Sequence, residues 1–444
     1  MKDLINTLKN IYKIEDLRLR ILTTLGFLLI YRLGSFVVLP GVDPEILESS
    51  KGAQTGLTRL LNMFAGGAFS RASVFALGIM PYISASIIIQ LMGVAIPYFQ
   101  KLQKEGESGR RRLNQITRFL TVIITVAQAP GYIASQIPDS AIIGGPSTLF
   151  NLTSTILLCT GTIFVMWVGE KITDRGIGNG ISLLIMIGII ADLPFGITAE
   201  FFSRLEEQGG GLVVFVVELV LLVLAILLTI LLVQGTRKIP VQFAKRVVGN
   251  KQFGGVRQYI PLKINASGVM PIVFAQAIMF IPFTIAGYSD VAALEGFVSF
   301  FADYTGFTYN IILAVMIVMF TYFYTAIIIN PVQMSEEMKR NGGFIPGIKP
   351  GKQTAEFIDS VMSRITLPGS LFLALIAILP AFAGIMGVNS QFGQFYGGTS
   401  LLILVGVALD TLQQIESYLL MRHYDGLIKS GRIKGRSALP ATSF

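Results

Sequence analysis

Ten stretches of this sequence are apolar over the roughly 20 residues that an α-helix needs to cross a lipid bilayer. Lipid offers the backbone no hydrogen bonds, so a crossing segment forms an α-helix, which pairs its own backbone groups. The predicted spans are residues 21–39, 73–96, 119–137, 148–169, 181–199, 211–234, 265–287, 309–329, 366–387 and 398–420. The sequence therefore predicts an all-α polytopic membrane protein with ten transmembrane helices.

The composition supports a membrane fold and excludes several kinds of chemistry. Hydrophobic residues make up 52% of the chain and charged residues 14%, whereas a soluble domain carries roughly a quarter charged residues. Cys159 and His423 are the single cysteine and histidine, so we expect no disulfide, no His/Cys metal site and no cofactor. The first 20 residues lack a signal-peptide cleavage site and indicate a helix retained at the membrane surface.

Positive charge is distributed unequally between the two sides of the predicted spans. Loops on one side, together with both termini, hold 30 Lys and Arg residues, and loops on the other side hold 4. Short cytoplasmic loops retain positive charge, so both termini are predicted to be cytoplasmic. This rule accounts for most of the charges but not for the length of two loops, residues 235–264 and 330–365. We interpret these loops as docking elements for a partner.

Two motifs suggest nucleotide chemistry, and both fail. In GIKPGKQT, a phosphate-binding loop would need Gly at Pro346 and Ser or Thr at Gln353. GIGNG, residues 176–180, joins two predicted spans rather than a strand and a helix. We therefore expect that the chain is not an enzyme.

The alternative function is that of a secondary transporter of small solutes. Such a protein usually carries ionisable groups near the midplane of several helices. Arg32 lies in the first predicted span, and Asp410 and Glu416 lie near the cytoplasmic end of the last. We interpret these three as packing or interfacial charges, which disfavours ion coupling.

Several motifs resemble the SecY family in their order and spacing. They are RASVFALGIMPYISASIIIQLM (71–92), EGESGRRR (105–112), GEKITDRGIGNGIS (169–182), IPLKINASGVMP (260–271), FIPGIKPGKQTAEFID (344–359) and GGTSLLILVGVALD (397–410). The resemblance implies two inverted, pseudo-symmetric five-helix halves, residues 1–205 and 206–444, around a central hourglass pore. It also implies a protein-conducting channel that opens across the membrane and sideways to lipid.

Members of the family close the waist of the pore with a ring of aliphatic side chains. The motif matches place this ring at Ile79, Ile83, Ile185, Val273, Ile278 and Ile403. A narrow apolar constriction dewets and blocks ions, yet it offers a passing chain no fixed hydrogen bonds. Taken one at a time, these aliphatic residues are typical of ordinary helix packing, and Val273 is smaller than the usual Ile.

The resemblance also implies a plug and a lateral gate. The plug is residues 56–71, including Asn62, Phe64, Gly66, Gly67 and Arg71; without the resemblance, a re-entrant packing helix would be preferred. The gate lies between the second and third spans and the seventh and eighth, where the polar residues are Ser84, Gln90, Asn265 and Gln276. We expect these polar groups to form hydrogen bonds across the seam. The alternative is that each group bonds to the backbone of its own helix, above all Ser84.

The partners follow from the same resemblance. We expect the SecA motor or a ribosome at the cytoplasmic loops, SecE and SecG beside the helices, unfolded polypeptides with signal sequences as substrates, and surrounding membrane lipids. The predicted docking residues are Lys245, Arg246, Arg257, Lys349 and Lys352. Lys349 stands where the family usually has Arg. The expected location is the bacterial inner membrane, with a plastid channel as an alternative.

Overall fold

The computed structural model describes residues 14–49, 62, 64–206, 211–243, 246–248, 251–253, 257–286 and 306–429. Most of these residues are helical, which confirms the predicted fold class. The helices before residue 207 are α1 (Glu15–Gly34), α2 (Pro44–Ser49), α3 (Met80–Ala95), α4 (Pro97–Lys104), α5 (Glu107–Gln136), α6 (Thr148–Arg175) and α7 (Gly180–Glu206). A short 3-10 turn, Asp139–Ala141, lies between α5 and α6.

The second part of the chain combines helices with short strands. Its helices are α8 (Gly211–Gln234), α9 (Met270–Ala286), α10 (Phe307–Ile328), α11 (Pro331–Arg340), α12 (Lys352–Ile385), α13 (Ser390–Gly393) and α14 (Gly398–Lys429). A 3-10 turn, Gln394–Tyr396, links α13 to α14. The strands are β1 (Thr236–Phe243), β2 (Arg246–Val248), β3 (Lys251–Phe253), β4 (Arg257–Lys263) and β5 (Gly343–Phe344).

Each of the ten predicted spans overlaps a helix of the structure, but not every helix is long and apolar enough to cross a bilayer. Within the described residues seven helices meet that condition, namely α5, α6, α7, α8, α10, α12 and α14. An eighth span results if α3 and α4, which are bent by 97° relative to each other, are counted together. In α1 five of the 20 residues are charged, and α9 has only 17 residues. The count of ten spans therefore stays a prediction.

The second predicted span, 73–96, is helical only from Met80 onwards, which corrects its predicted start. Residues 64–79 form turns, because Gly66, Gly67 and Gly78 adopt positive φ angles of 61°, 82° and 52°. Left-handed conformations of this kind interrupt a helix. An antiparallel bridge between Val38 and Ser73 holds the turns against the chain that leaves α1.

The two long loops, which the sequence predicts as docking elements, share one sheet in the described residues. β1 pairs antiparallel with β4 along seven residues, from Thr236 opposite Lys263 to Gln242 opposite Arg257. β5 from the second loop adds to the other edge of β1. Buried side chains from this sheet, α11 and α12 form a small core of their own, made of Ile239, Val241, Leu262, Met338, Ile345, Ile358 and Met362. The predicted docking loops are therefore a single folded unit.

The largest buried cluster connects the first part of the chain with the second. It contains Ile172 and Ile189, which are fully buried on α6 and α7, and Phe392 and Ile403 from α13 and α14. α7 packs along α14 and beside α8. The proposed halves are therefore in contact through α7, α8 and α14.

Candidate functional site

Four of the six predicted ring residues lie in one cluster. Ile79, Ile185 and Ile403 are at most 7% exposed, and Ile83 packs against them. They come from the start of α3, from α7 and from α14. Ile83 also packs in a second cluster with Val273 of α9. Aliphatic side chains from α3, α7 and α14 thus share one cluster, and Ile83 links it to the cluster on which Val273 of α9 packs.

Ile278 occupies a different place from the other ring residues. It is 37% exposed and belongs to neither of these two clusters. Ile278 follows Val273 by five positions on α9, which rotates its side chain by about 140° around the helix axis. Val273 and Ile278 therefore point in different directions from α9, and the place of each in the ring stays a prediction.

The described part of the predicted plug packs directly on this cluster. Phe64 is 9% exposed and belongs to the same cluster as Ile79 and Ile185. Asn62 orders the turn, since its side chain accepts a hydrogen bond from the Ser70 amide at 2.9 Å. Residues 56–61 and 63 of the predicted plug lie outside the described residues.

The glycines of the plug permit a very close approach to α7. A Cβ atom on Gly66 would stand 3.0 Å from Gly188 Cα, which is too short for a normal contact. The guanidinium of Arg71 donates to the carbonyl oxygens of Gly66 and Gly67, both at 2.9 Å. The segment is therefore tightly seated and bonded within itself.

The polar residues of the predicted gate have different partners. The Tyr324 hydroxyl of α10 donates to Gln90 Oε1 of α3 at 2.6 Å, which is a bond across the predicted seam. Gln276 instead accepts from Thr399 of α14 at 3.4 Å. Asn265 accepts from Ser267 at 3.3 Å, within the turn that leads to α9. Ser84 is half-buried on α3.

A cavity of about 400 Å³ lies beside the bond between Gln90 and Tyr324. Its lining is mostly apolar, with three polar side chains, and comes from α3, α4, α9 and α10. The lining residues are Gln90, Leu91, Gln103, Met270, Tyr324, Ile327 and Ile328. Open space thus borders the predicted gate beside the hydrogen bond between α3 and α10.

The predicted docking residues lie on or near the sheet that unites the two loops. Arg246 belongs to β2 and Arg257 to β4, while Lys245 lies outside the described residues. Lys349 and Lys352 are exposed, just before and at the start of α12. The Lys349 carbonyl accepts a hydrogen bond from Thr354, which orders the backbone and leaves the ammonium group in solvent.

The structure also reveals a charged cluster that the sequence analysis missed. Arg204 of α7 contacts Glu200 at 2.8 Å and Glu218 of α8 at 2.6 Å, and both carboxylates are almost fully buried. Arg204 also donates to the carbonyl of Gly387, and the second oxygen of Glu200 accepts from the Asn389 amide. The spacing of Glu200 and Arg204, four residues apart on a helix, was the available signal.

Two acidic residues lie inside predicted spans, in addition to the three ionisable residues already considered. Glu218 is in the sixth span, and Asp192 is in the fifth. Glu218 is engaged by Arg204, and Asp192 is half-buried on α7. Glu218 is therefore paired within the protein, which is unlike the open binding site of a solute carrier.

The GIGNG motif serves as a junction between helices. The Gly178 amide donates to Gln414 Oε1 of α14 at 2.9 Å, and the Ile177 amide donates to Thr24 of α1 at 3.0 Å. Arg20 of α1 donates to the Gly176 carbonyl at 3.3 Å. The backbone groups that would bind a phosphate in a nucleotide loop are thus used to hold α1, α7 and α14 together.

Comparison with known proteins gives consistent results. The family model described as SecY matches residues 73–412. A protein translocase subunit SecY from Halalkalibacterium halodurans is 44% identical over 431 residues, which cover 95% of this chain and 99% of that protein. A solved structure of a protein-conducting channel has a TM-score of 0.62 at 18% identity, over 90% of this chain and 92% of that one.

A second similar structure is Sec61 in the canine ribosome-channel complex from the endoplasmic reticulum. Its TM-score is 0.57 at 17% identity, and it covers 90% of this chain and 92% of that chain. At identities this low, the two structural likenesses concern the fold alone.

Proposed function

Since this chain belongs to the SecY family of protein translocase subunits, we propose that it moves unfolded secretory polypeptides across the bacterial cytoplasmic membrane. Members of this family are multi-pass protein-conducting channels and not enzymes. We further propose that transmembrane segments leave the channel sideways, between α3 on one side and α9 and α10 on the other.

The observation that carries this proposal is the packing of the proposed plug against residues of the proposed constriction. Phe64 lies in one buried cluster with Ile79, Ile185 and Ile403, and Ile83 packs against that cluster. A narrow apolar waist excludes ions by dewetting, while it presents no fixed polar group that would retain a passing chain. A seal of this kind suits a channel for polypeptides better than a solute carrier.

The proposed lateral exit rests on the composition of the seam beside the cavity, where side chains of α3, α9 and α10 form an apolar cluster. The Tyr324 hydroxyl adds a hydrogen bond from α10 to Gln90 of α3. The net contribution of such a bond is only about 0.5–1.5 kcal/mol. An apolar transmembrane segment that enters the seam can bury its surface against the side chains of α3 and α10. This burial can replace the contacts that are lost when the two helices separate, so the seam is suited to open reversibly.

The energy for transport comes from partners in this proposal. We assign the SecA motor or a ribosome to the sheet of the two loops, where Lys349 and Lys352 are exposed, and SecE and SecG to the outer helices. Canine Sec61, a protein of the same fold, is found in a ribosome-channel complex. The charge asymmetry of the loops supports cytoplasmic termini.

Cross-linking of the seam tests this function. In a Cys159→Ser background, the variant Gln90→Cys with Tyr324→Cys is treated with a bifunctional thiol reagent no longer than the contact it replaces. We expect transport of a secretory precursor into proteoliposomes that contain the motor to stop. A matched reagent several times longer should restore it. Full transport after the short reagent has cross-linked positions 90 and 324 in every channel would contradict the proposed gate.

A further inference from the structure

The described part of the proposed plug packs in two different buried clusters. Phe64 belongs to the cluster that contains Ile79 and Ile185 of the proposed constriction. Phe69 belongs to a second cluster, to which α5 contributes Tyr132 and two neighbouring apolar side chains. The small side chains of the plug that pack in this second cluster are Ala65 and Ala68. One short segment is therefore packed both on the constriction and on α5.

The Tyr132 hydroxyl adds a directional contact to the packing on α5. It donates to the Phe69 carbonyl oxygen at 2.6 Å, and the two aromatic rings meet edge to face with 4.9 Å between their centroids. Both residues are buried, with Tyr132 4% exposed and Phe69 8% exposed. The side chain and the backbone of Phe69 are thus both held by Tyr132.

The surroundings of this bond make its loss costly. The Ala72 amide also donates to the Phe69 carbonyl, but at 3.4 Å, so the Tyr132 hydroxyl is the closer donor. Tyr132 lies in the predicted span 119–137, where apolar neighbours offer neither a donor nor an acceptor in exchange. A hydroxyl and a carbonyl that separate in such surroundings each lose a partner, and this opposes their separation.

α1 binds the backbone of the same segment in a similar way. The Tyr31 hydroxyl donates to the Ala65 carbonyl at 3.5 Å, and Arg32 donates to the Gly66 carbonyl at 2.8 Å. Of these three bonds to the plug backbone, the one from Tyr132 is the shortest. Its hydroxyl can also be removed without a change of charge or loss of the ring, which makes Tyr132 the residue best suited to a test.

We propose that Tyr132 is a positioning residue for the closed channel, which keeps the plug on the constriction by binding its backbone at Phe69. The bond exists while the plug is in place and is broken once the plug has withdrawn, so it stabilises only the closed arrangement. This inference rests on the proposed role of residues 56–71 as a plug.

The accessibility of position 64 provides the test, because Phe64 is 9% exposed while the plug is in place. Phe64→Cys is introduced into a Cys159→Ser chain, and labelling by a water-soluble maleimide is measured in lipid nanodiscs, where both membrane faces are accessible. Tyr132→Phe should raise the labelling rate of the resting channel about two- to tenfold, the effect of one lost hydrogen bond of typical strength. The rate with a stalled precursor in the channel should not change, because the bond is already broken there.

A second tyrosine supplies the matched control. Tyr396 is also buried, and its hydroxyl donates to a backbone carbonyl, that of Glu218, at 2.7 Å. Tyr396→Phe therefore removes a similar bond outside the plug, and it should label like the parent both at rest and with precursor.

The outcomes separate the role of Tyr132 from a general loss of structure and from the plug itself. An unchanged resting rate in Tyr132→Phe would overturn the role of Tyr132. A rise of equal size at rest and with precursor, or an equal rise in Tyr396→Phe, would also overturn it. A parent chain whose labelling does not respond to the precursor would instead overturn the plug on which the inference rests.

Discussion

At the scale of single residues, the direction of a side chain decides its role more than its type. Val273 and Ile278 are both aliphatic and both on α9, yet Val273 packs with Ile83 while Ile278 is 37% exposed. Similarly, Gln90 bonds to α10, whereas Gln276 bonds to α14. Residues of the same chemical type therefore contact different helices.

The constriction gives the prediction that belongs to this scale. Replacing Ile83 and Ile403 together with Gly should widen and wet the waist, because the removed side chains exclude water from it. We expect steady ion conductance in planar bilayers from a channel that is otherwise quiet. The matched control changes Ile88 and Ile311, which are exposed and lie outside the predicted ring, to Gly and should leave the channel quiet. Equal conductance in both double variants would mean that Ile83 and Ile403 do not form the seal.

At the scale of helices, α7 carries much of the organisation of the molecule. Its residue Ile185 belongs to the proposed constriction, Gly188 lies against Gly66 of the proposed plug, and Arg204 near its end joins α8 and the turn before α13. A second arginine, Arg118 of α5, makes a bidentate ion pair with Glu170 of α6 at 2.7 and 2.9 Å. The two ion pairs differ mainly in burial, since Arg204 is 11% exposed and Arg118 is 48% exposed.

This difference in burial predicts different costs of removal. Arg204→Met leaves Glu200 and Glu218 buried without their cation, which should destabilise the protein by about 3–5 kcal/mol. Arg118→Met removes a pair that water screens, and its expected cost is at most about 1 kcal/mol. Thermal unfolding of both purified variants in the same detergent gives the comparison. A smaller loss for Arg204→Met than for Arg118→Met would show that the buried cluster is not a structural tie.

At the scale of the whole molecule, the two proposed halves are joined by different kinds of contact on their two sides. The Gly178 amide bonds to Gln414 of α14 at one end of α7, and Arg204 bonds to the Gly387 carbonyl near the other end. The seam between α3 and α10 combines the bond from Tyr324 to Gln90 with a mostly apolar cluster. Apolar contacts have no fixed direction, so this difference supports opening of the seam by rotation about the side that contains α7 and α14.

The junction at Gly178 is accessible to direct measurement. Gln414→Leu removes the acceptor of the Gly178 amide, so hydrogen exchange of residues 176–180 should accelerate several-fold. Gln413→Leu changes the neighbouring glutamine and is the matched control, which should exchange like the parent. Unchanged exchange in Gln414→Leu would show that this bond does not hold the two halves together.

Much of the fold and part of the site could be predicted from the sequence, because they depend on local properties. Apolar stretches of bilayer length predict helices wherever they occur, and the motifs around Ile83 and Ile185 indicate a channel family. Two hydrogen bonds to backbone carbonyls left no such signal in the sequence. Arg32 donates to Gly66 and Tyr132 donates to Phe69, and each donor is far from its acceptor along the chain. Any residue type presents the same carbonyl, so no pattern of side chains predicts which oxygen is bound.

By itself the sequence determined the membrane class, the approximate spans and the predicted orientation, since hydropathy and charge act segment by segment. Only the tertiary structure decided which residues meet. It placed Phe64 in one cluster with Ile79 and Ile185, joined β5 to β1, and paired Arg204 with Glu218. Such contacts depend on the rotation of each helix about its axis and on packing between distant segments, which hydropathy does not specify.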